Sequence, residues 1–271
     1  MIDAALRQHL RASEAVSVSG GCINECFRVR IGASTRFLKV NASRYADAFA
    51  AEADGLIALR RAGMRAPEPI AHGTADGQAY VLMEYLELRA EGDFARLGRA
   101  LAAMHRKPAG RFGWTRDNYI GTTPQANGEC DSWAEFWRER RLKPQLELAR
   151  KNGFDLDAEA AMRLLDQHAP RPALLHGDLW SGNAAFTADG EPVVFDPAVY
   201  CGDREADLAM TELFGGFPRE FYAAYNAAYP LDAGYAERKH VYNLYHLLNH
   251  LNLFGRGYLA QVNATLRRFE A

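Results

Sequence analysis

Leu174-Leu175-His176-Gly177-Asp178-Leu179-Trp180-Ser181-Gly182-Asn183, answered a little later by Val193-Val194-Phe195-Asp196, decides how this chain folds and what it can do. The apolar pair Leu174-Leu175 reads as the end of a strand. Val193 to Phe195 reads as a second short strand that ends in a carboxylate. The glycine-bearing loop after the first strand carries His176, Asp178 and Asn183. Two such strands bring Asp178, Asn183 and Asp196 to one mouth: a carboxylate able to act as a base, and two oxygen donors for a hard cation. Mg²⁺ takes few protein oxygens and keeps room for water and phosphate. Phosphoryl transfer asks for this set, a carboxylate facing the acceptor hydroxyl and metal ligands that hold the nucleotide.

His176, Asp178 and Asn183 also match the kinase loop pattern H-x-D-x-x-x-x-N. Gly177 stands where protein kinases carry an arginine. With the Trp-Ser-Gly insert at 180–182, this points to the small-molecule kinases of that superfold. A glycine turn whose polar residues only satisfy backbone groups would explain any one of these residues, but not the set.

The chain has 271 residues, enough for one large domain or two lobes with a real core. Its net charge of −2 exerts no general pull on nucleic acid or membrane surfaces. No apolar run is long enough to span a membrane. Residues 1–11 are charged and lack the apolar core of a secretory signal. Cys22, Cys26, Cys130 and Cys201 form neither a disulfide framework nor a Cys-x-x-Cys zinc motif, which implies a reducing, cytoplasmic compartment.

Residues 2–11 pattern as a short amphipathic helix. Val16 to Gly21 reads as a strand entering a glycine turn. Cys26–Ile31 and Thr35–Val40 read as a hairpin around Gly32-Ala33-Ser34. Gly20 and Gly21 would let backbone N–H groups approach phosphates, or serve as a plain turn; the full G-x-G-x-x-G is absent. On the second hairpin strand, Phe37 and Lys39 share one face and Leu38 and Val40 the other. Phe49, Glu52, Leu56 and Leu59 recur at helical spacing, which places Glu52 in an inward stripe where an unpaired carboxylate is costly. Lys39 is its natural partner, and a strand lysine paired to a helix glutamate is how kinases hold the α- and β-phosphates.

Gly63, Pro67 and Pro69 end that helix. Gln78–Met83 is a strand running into Glu84-Tyr85-Leu86, the position of a kinase hinge. There the backbone groups of Glu84 and Leu86 would meet adenine and Met83 would line the pocket. Phe94, Leu97, Leu101 and Met104 mark a helix ending at His105, a capping or packing histidine. Residues 107–131 read as a long loop, and loops of that length are functional or disordered. A helix follows from Trp133 to Lys151, with Arg138, Arg140 and Arg141 as a solvated face; another covers 157–168. Asp203 is a good N-cap for a helix from Arg204, and Asp207, one turn in, would brace the loop by accepting its backbone N–H groups. Val241, Leu244, Tyr245, Leu248 and Leu251 form the core stripe of a helix over 237–254. His246 and His250 on that helix have no third metal ligand in view.

These motifs together resemble the fructosamine 3-kinase (ketosamine 3-kinase) family, relatives of the aminoglycoside and choline phosphotransferases. The resemblance rests on Gly20-Gly21-Cys22-Ile23-Asn24-Glu25, Phe37-Leu38-Lys39-Val40-Asn41, Asp117-Asn118-Tyr119-Ile120-Gly121, His176 to Asn183, Asp196-Pro197-Ala198, Leu213 to Pro218, and Tyr245 to His250 with Phe254-Gly255-Arg256. It implies an α+β, two-lobed protein-kinase-like fold, with a β-rich N-lobe over 1–86 and a mainly helical C-lobe over 87–271. It also implies ATP- and Mg²⁺-dependent phosphorylation of the 3-hydroxyl of a ketoamine, free or protein-bound, after which the unstable 3-phosphate leads to deglycation. By position, Asp178 resembles the base, Asn183 and Asp196 the Mg²⁺ ligands, and Lys39 with Glu52 the phosphate clamp. Gly20, Gly21, Cys22, Met83, Glu84 and Leu86 fall to the nucleotide site. Trp180 resembles the platform on which the sugar-amine stacks. Cys22 matches a cysteine linked in this family to redox-sensitive dimers, so the chain is expected as a monomer or a redox-linked homodimer. The competing readings are an aminoglycoside- or choline-type phosphotransferase and a nucleotide-binding regulator without catalysis.

Overall fold

In the computed structural model, residues 2–18 and 23–270 are described. The expectations for Gly20, Gly21 and Cys22 lie outside the described residues. The chain divides into two compact units.

The first unit runs to Asp93 and takes in Ala184–Pro197. It opens with α1 (Ala4–His9) and carries an antiparallel sheet of β1 (Ala12–Ser17), β2 (Glu25–Ile31), β3 (Ser34–Ala42), β4 (Pro69–Ala75) and β5 (Gln78–Glu84), in the order β1-β2-β3-β5-β4. The β2–β3 turn pairs Ile31 with Ser34 around Gly32 and Ala33. Gly32, with φ +58°, takes the positive-φ first position that such tight hairpins favour. Leu38 and Val40 of β3 join Phe27, Val29, Tyr80, Leu82 and Leu6 in one apolar cluster. The pleat therefore turns Lys39 to the opposite face. Helix α2 (Ala46–Arg61) buries Phe49, Leu56 and Leu59 and packs on β4 and β5. It stops where Gly63, with φ +94°, donates to Arg60 O and Met64 donates to Leu59 O, both at 3.0 Å. That bond pair closes a helix end through a left-handed glycine.

The chain returns to this unit as a hairpin of Ala184–Phe186 and Pro192–Val194. Arg89 and Phe186 exchange backbone bonds at 2.8 Å, and Val194 N–H donates to Arg65 O at 2.9 Å. These bonds tie 184–194 to the N-terminal unit, which runs to Asp93 and takes in Ala184–Pro197. The strand at 192–194 pairs with 184–186.

The second unit is mainly helical: α3 (Phe94–His105), α4 (Trp133–Trp137), α5 (Lys143–Lys151), α6 (Glu159–Arg163), α7 (Glu205–Leu213), α8 (Arg219–Ala228), α9 (Tyr235–Phe254) and α10 (Leu259–Leu266). Its core holds Trp133, Phe136, Trp137, Tyr200 and the α9 stripe Val241, Leu244, Tyr245, Leu248 and Leu251. Inside the expected loop 107–131, Asn118–Ile120 pairs with Thr123–Gln125. Strand Ala173–Leu175 pairs with Tyr200–Gly202. The helix expected over 157–168 is confined to Glu159–Arg163. Beyond it Leu164, Leu165 and His168 bond three residues back, as tightened turns do. A π-turn at Arg138–Leu142 interrupts the helix expected from 133 to 151.

Arg141 corrects the solvated-face reading of its cluster. It is fully buried, lies 4.0 Å from the Tyr200 ring centroid, and donates to Ala126 O and Asn127 Oδ1 at 2.7 Å. The guanidinium satisfies loop carbonyls while stacking on aromatic faces, which a delocalised cation does well.

Candidate active site

The expected site residues fall into two sets, one in each unit. In the first, Lys39 Nζ donates to Glu52 Oε1 at 2.6 Å and to Asp196 Oδ1 at 2.5 Å. Burial alone would lower the lysine pKa, but the two carboxylates outweigh it and hold the ammonium far above its ordinary range. Glu52 is shifted upward because burial exceeds the pull of Lys39. The expected Lys39–Glu52 pair is therefore formed; the Asp196 bond is an addition that the sequence did not signal. Asp196 has φ +56°, a left-handed conformation uncommon outside glycine, and its side chain is 42% exposed. Met83 is buried in β5. The Glu84 N–H is taken by Glu68 O at 2.8 Å. Its carboxylate receives Arg65 at 2.8 and 2.6 Å, and the Arg65 bond holds the carboxyl below its usual range. Leu86 is half-buried.

The second set is built on strand Ala173–Leu175 and the loop after it. Gly177, at φ +81°, lies so close to the neighbouring chain that a Cβ there would stand 2.0 Å from Ala198 O. With that approach the backbone here has no room for a side chain, an arginine included. Ala198 N–H donates to His176 O at 2.9 Å. Asp207 of α7 accepts from His176 N–H and Gly177 N–H, both at 2.8 Å, so the expected brace is in place. Asn183 Nδ2 donates to Asp178 O at 2.8 Å and Oδ2 at 3.3 Å, which clips the loop's two ends together. Trp180 is exposed and makes a T-shaped ring contact with Phe214 at a centroid distance of 6.3 Å.

Several supporting groups were not legible. Of the two readings of His105, capping or packing, the packing one holds, and its partners are the addition: the buried ring nitrogens meet Tyr225 Oη at 2.9 Å and Asp207 Oδ2 at 3.2 Å. Burial pushes the Asp207 carboxyl up, but the bonds from His105 and the loop N–H groups outweigh it and set it below the ordinary range. Asp203 accepts Glu205 N–H at 3.1 Å, as its cap role foresees, and is itself held by His168 at 2.7 Å and Tyr242 Oη at 2.6 Å. Two amides of the 118–125 hairpin fix the segment after Asp196: Asn118 donates to Val199 O at 2.8 Å and Gln125 to Ala198 O at 3.2 Å. His246 of α9 faces Asp178, with 3.9 Å between Nδ1 and Oδ1.

An antiparallel β unit carrying a buried lysine–glutamate pair, with a helical unit carrying an Asp–Asn loop, defines the class, an α+β protein-kinase-like phosphotransferase fold. The crystal structure of the aminoglycoside phosphotransferase APH(4)-Ia shares it, with a TM-score of 0.61 at 16% identity over 98% of this chain and 95% of that one. Within this class the chain belongs to the fructosamine kinase family, whose pattern it matches over residues 1–271. It is 47% identical over 270 residues to a protein of Synechocystis sp. named a probable ketoamine kinase, across 96% of this chain and 92% of that protein. A crystal structure from Haemophilus somnus, provisionally named a fructosamine-3-kinase, has a TM-score of 0.91 at 29% identity, across 98% of this chain and 96% of that one. No helix among the described residues is long and apolar enough to cross a membrane.

Proposed function

We propose that this kinase transfers the γ-phosphoryl group of ATP to the 3-hydroxyl of a ketoamine, the product of a sugar that has condensed with an amine and rearranged. The observation that supports the reading is that the residues assigned to phosphoryl transfer are fixed by hydrogen bonds within their own units. Lys39 is fixed by Glu52 and Asp196, and the Asp178–Asn183 loop is fixed by Asp207. The ketoamine follows from the 47% identity to the Synechocystis protein and its name. Family membership sets the aminoglycoside and choline readings aside, and the intact set of Lys39, Glu52, Asp178, Asn183 and Asp196 leaves a non-catalytic regulator without support.

The roles follow from the chemistry. Asp178 accepts the proton of the attacking hydroxyl as the O–P bond forms and ADP departs. Lys39 supplies positive charge to the nucleotide phosphates. The Glu84 N–H is already bonded to Glu68 O, so its part toward adenine belongs to its carbonyl, with Leu86 contributing its N–H and Met83 an apolar wall. Trp180 offers its ring to the sugar-amine. Asn183 turns its amide nitrogen to Asp178 and keeps its oxygen for a cation, and Asp196 adds a carboxylate. Hard oxygen donors of this kind fit Mg²⁺. When bound, the ion neutralises phosphate charge.

The test is ATP consumption with Mg²⁺ against a ribulosamine, a fructosamine, kanamycin, choline and buffer, with the phosphate located by NMR. Turnover on a ketoamine with phosphate at O3 is expected. Turnover confined to kanamycin or choline would overturn the substrate.

A further inference from the structure

His246 is a buried polar side chain with one ring nitrogen, Nδ1, left unpaired among the described residues. Its side chain is 4% exposed. Buried nitrogens are rarely left so, because an unsatisfied polar atom costs roughly 1–3 kcal/mol. The neighbouring histidine does not relieve it, since His250 Nδ1 bonds the backbone oxygen of His246 at 2.8 Å and not its ring. The facing atom is Asp178 Oδ1, and 3.9 Å is too long for a hydrogen bond. Nor is this an ion pair. Burial, with a smaller contribution from His250, holds the imidazole pKa down to about 3, so the ring is neutral.

The separation suits a bridging atom. An oxygen about 2.8 Å from both Nδ1 and Oδ1 closes a triangle with an angle near 90° at the oxygen, acceptable for a hydroxyl that donates on one side and accepts on the other. A hydroxyl has one proton. If Asp178 receives it, His246 must be the donor, which selects the Nδ1–H tautomer.

We infer that His246 is a catalytic residue that donates Nδ1–H to the oxygen of the acceptor hydroxyl while Asp178 accepts that hydroxyl's proton. The inference rests on the phosphotransfer reading above and adds a second protein contact to the reacting oxygen. As the O–P bond forms and the bond to ADP breaks, the proton passes to Asp178 and His246 keeps its own. The neutral ring directs the hydroxyl's proton to the carboxylate and leaves a lone pair for the phosphorus. A cationic ring would lower the basicity of Asp178, so the burial of His246 serves the chemistry.

Asparagine places an amide nitrogen near the position of Nδ1, whereas glutamine places it near Nε2. With the ketoamine that the wild type turns over, H246N is expected to keep kcat/KM within about tenfold. H246Q and H246L are expected to lose roughly 100-fold, the usual cost of one oriented donor. KM for ATP should be unchanged in all three. A histidine that merely packs gives the reverse order, with Leu tolerated best and Asn worst, and that order would overturn the inference. So would equal activity of all variants. Independently, ¹⁵N-histidine NMR of the wild type should show the His246 Nδ1 resonance move when ketoamine is added without ATP; an unmoved resonance overturns the contact whether or not the variants fold. A wild type that phosphorylates no ketoamine would instead overturn the underlying reading.

Discussion

Lys39 Nζ donates to Asp196 Oδ1 at 2.5 Å across 157 residues of sequence, on the side of β3 opposite the apolar cluster. The bond joins two residues that the sequence assigned separately, one to the phosphate clamp and one to the cation. Lys39 thus carries two carboxylates, and removing it has two consequences. Lys39→Met strands Glu52, whose side chain is 13% exposed, and breaking a buried pair from one side costs about 3–5 kcal/mol. If Lys39 is the proposed phosphate contact, turnover should fall at least ~1000-fold as well. Glu52→Gln keeps the Lys39–Asp196 bond and should lose far less stability. Thermal unfolding and single-turnover assays of both variants check this; equal losses would mean that Asp196 does not hold the lysine.

Gly177 makes a second expectation measurable. Its φ of +81° and the 2.0 Å approach to Ala198 O leave no room for a side chain. Gly153 has a similar φ of +85° but nothing within 4 Å of its added Cβ. Gly153→Ala should therefore cost only the conformational penalty, about 1–2 kcal/mol. Gly177→Ala must also shift the loop that carries Asp178, so it should lose more stability and at least roughly 100-fold in kcat, as a misplaced catalytic group does. Matching effects in denaturant melts and turnover would show that backbone strain alone explains Gly177.

Histidine burial sets a pH dependence. The His246 pKa, held down to about 3, lies below the 6.5 of an ordinary histidine. Between these values the unfolded chain binds a proton that the folded chain refuses, so stability rises with pH across this window and is lost as pH falls from about 6.5. The slope from this one group approaches about 1.4 kcal/mol per pH unit. His246→Asn removes the titration, and its unfolding free energy should be flatter between pH 6.5 and 4.5. Parallel wild-type and variant profiles would show that His246 is not the group responsible.

What could be read from the sequence was whatever local spacing encodes. The Phe49–Leu59 stripe located α2 and turned Glu52 inward; the α3 and α9 stripes fell where the helices are. The brace by Asp207 was legible because its place one turn into a helix limits what its carboxylate can do. His105 was not, because its partner lies 102 residues away and no spacing links them. Arg141 is instructive, since it falls four residues after Trp137 on the same inward stripe. Its charge suggested solvent, and only the tertiary fold supplies the carbonyls and aromatic faces that let a guanidinium be buried. The partner of the strand at 192–194 was not legible for a related reason: an apolar triplet such as Val193 to Phe195 carries no information about what it pairs with, here Ala184–Phe186.

Trp180 and Gly182 allow the stacking role to be tested without touching the ring. A Cβ on Gly182 would meet Trp180 Cζ2 at 2.3 Å and Cη2 at 2.4 Å, so the indole lies directly against the glycine backbone and would have to move. Trp180 is 36% exposed, so displacing it should cost little stability. If the indole is the platform for the sugar-amine, Gly182→Ala and Trp180→Ala should both raise KM for the ketoamine, by about tenfold for a lost stacking contact of 1–1.5 kcal/mol. KM for ATP should stay within twofold in both. The glycine variant distinguishes position from presence, because it keeps the aromatic ring and changes only where it stands. A rise confined to Trp180→Ala would mean that the ring tolerates displacement, and equal rises for both substrates would remove Trp180 from the acceptor site.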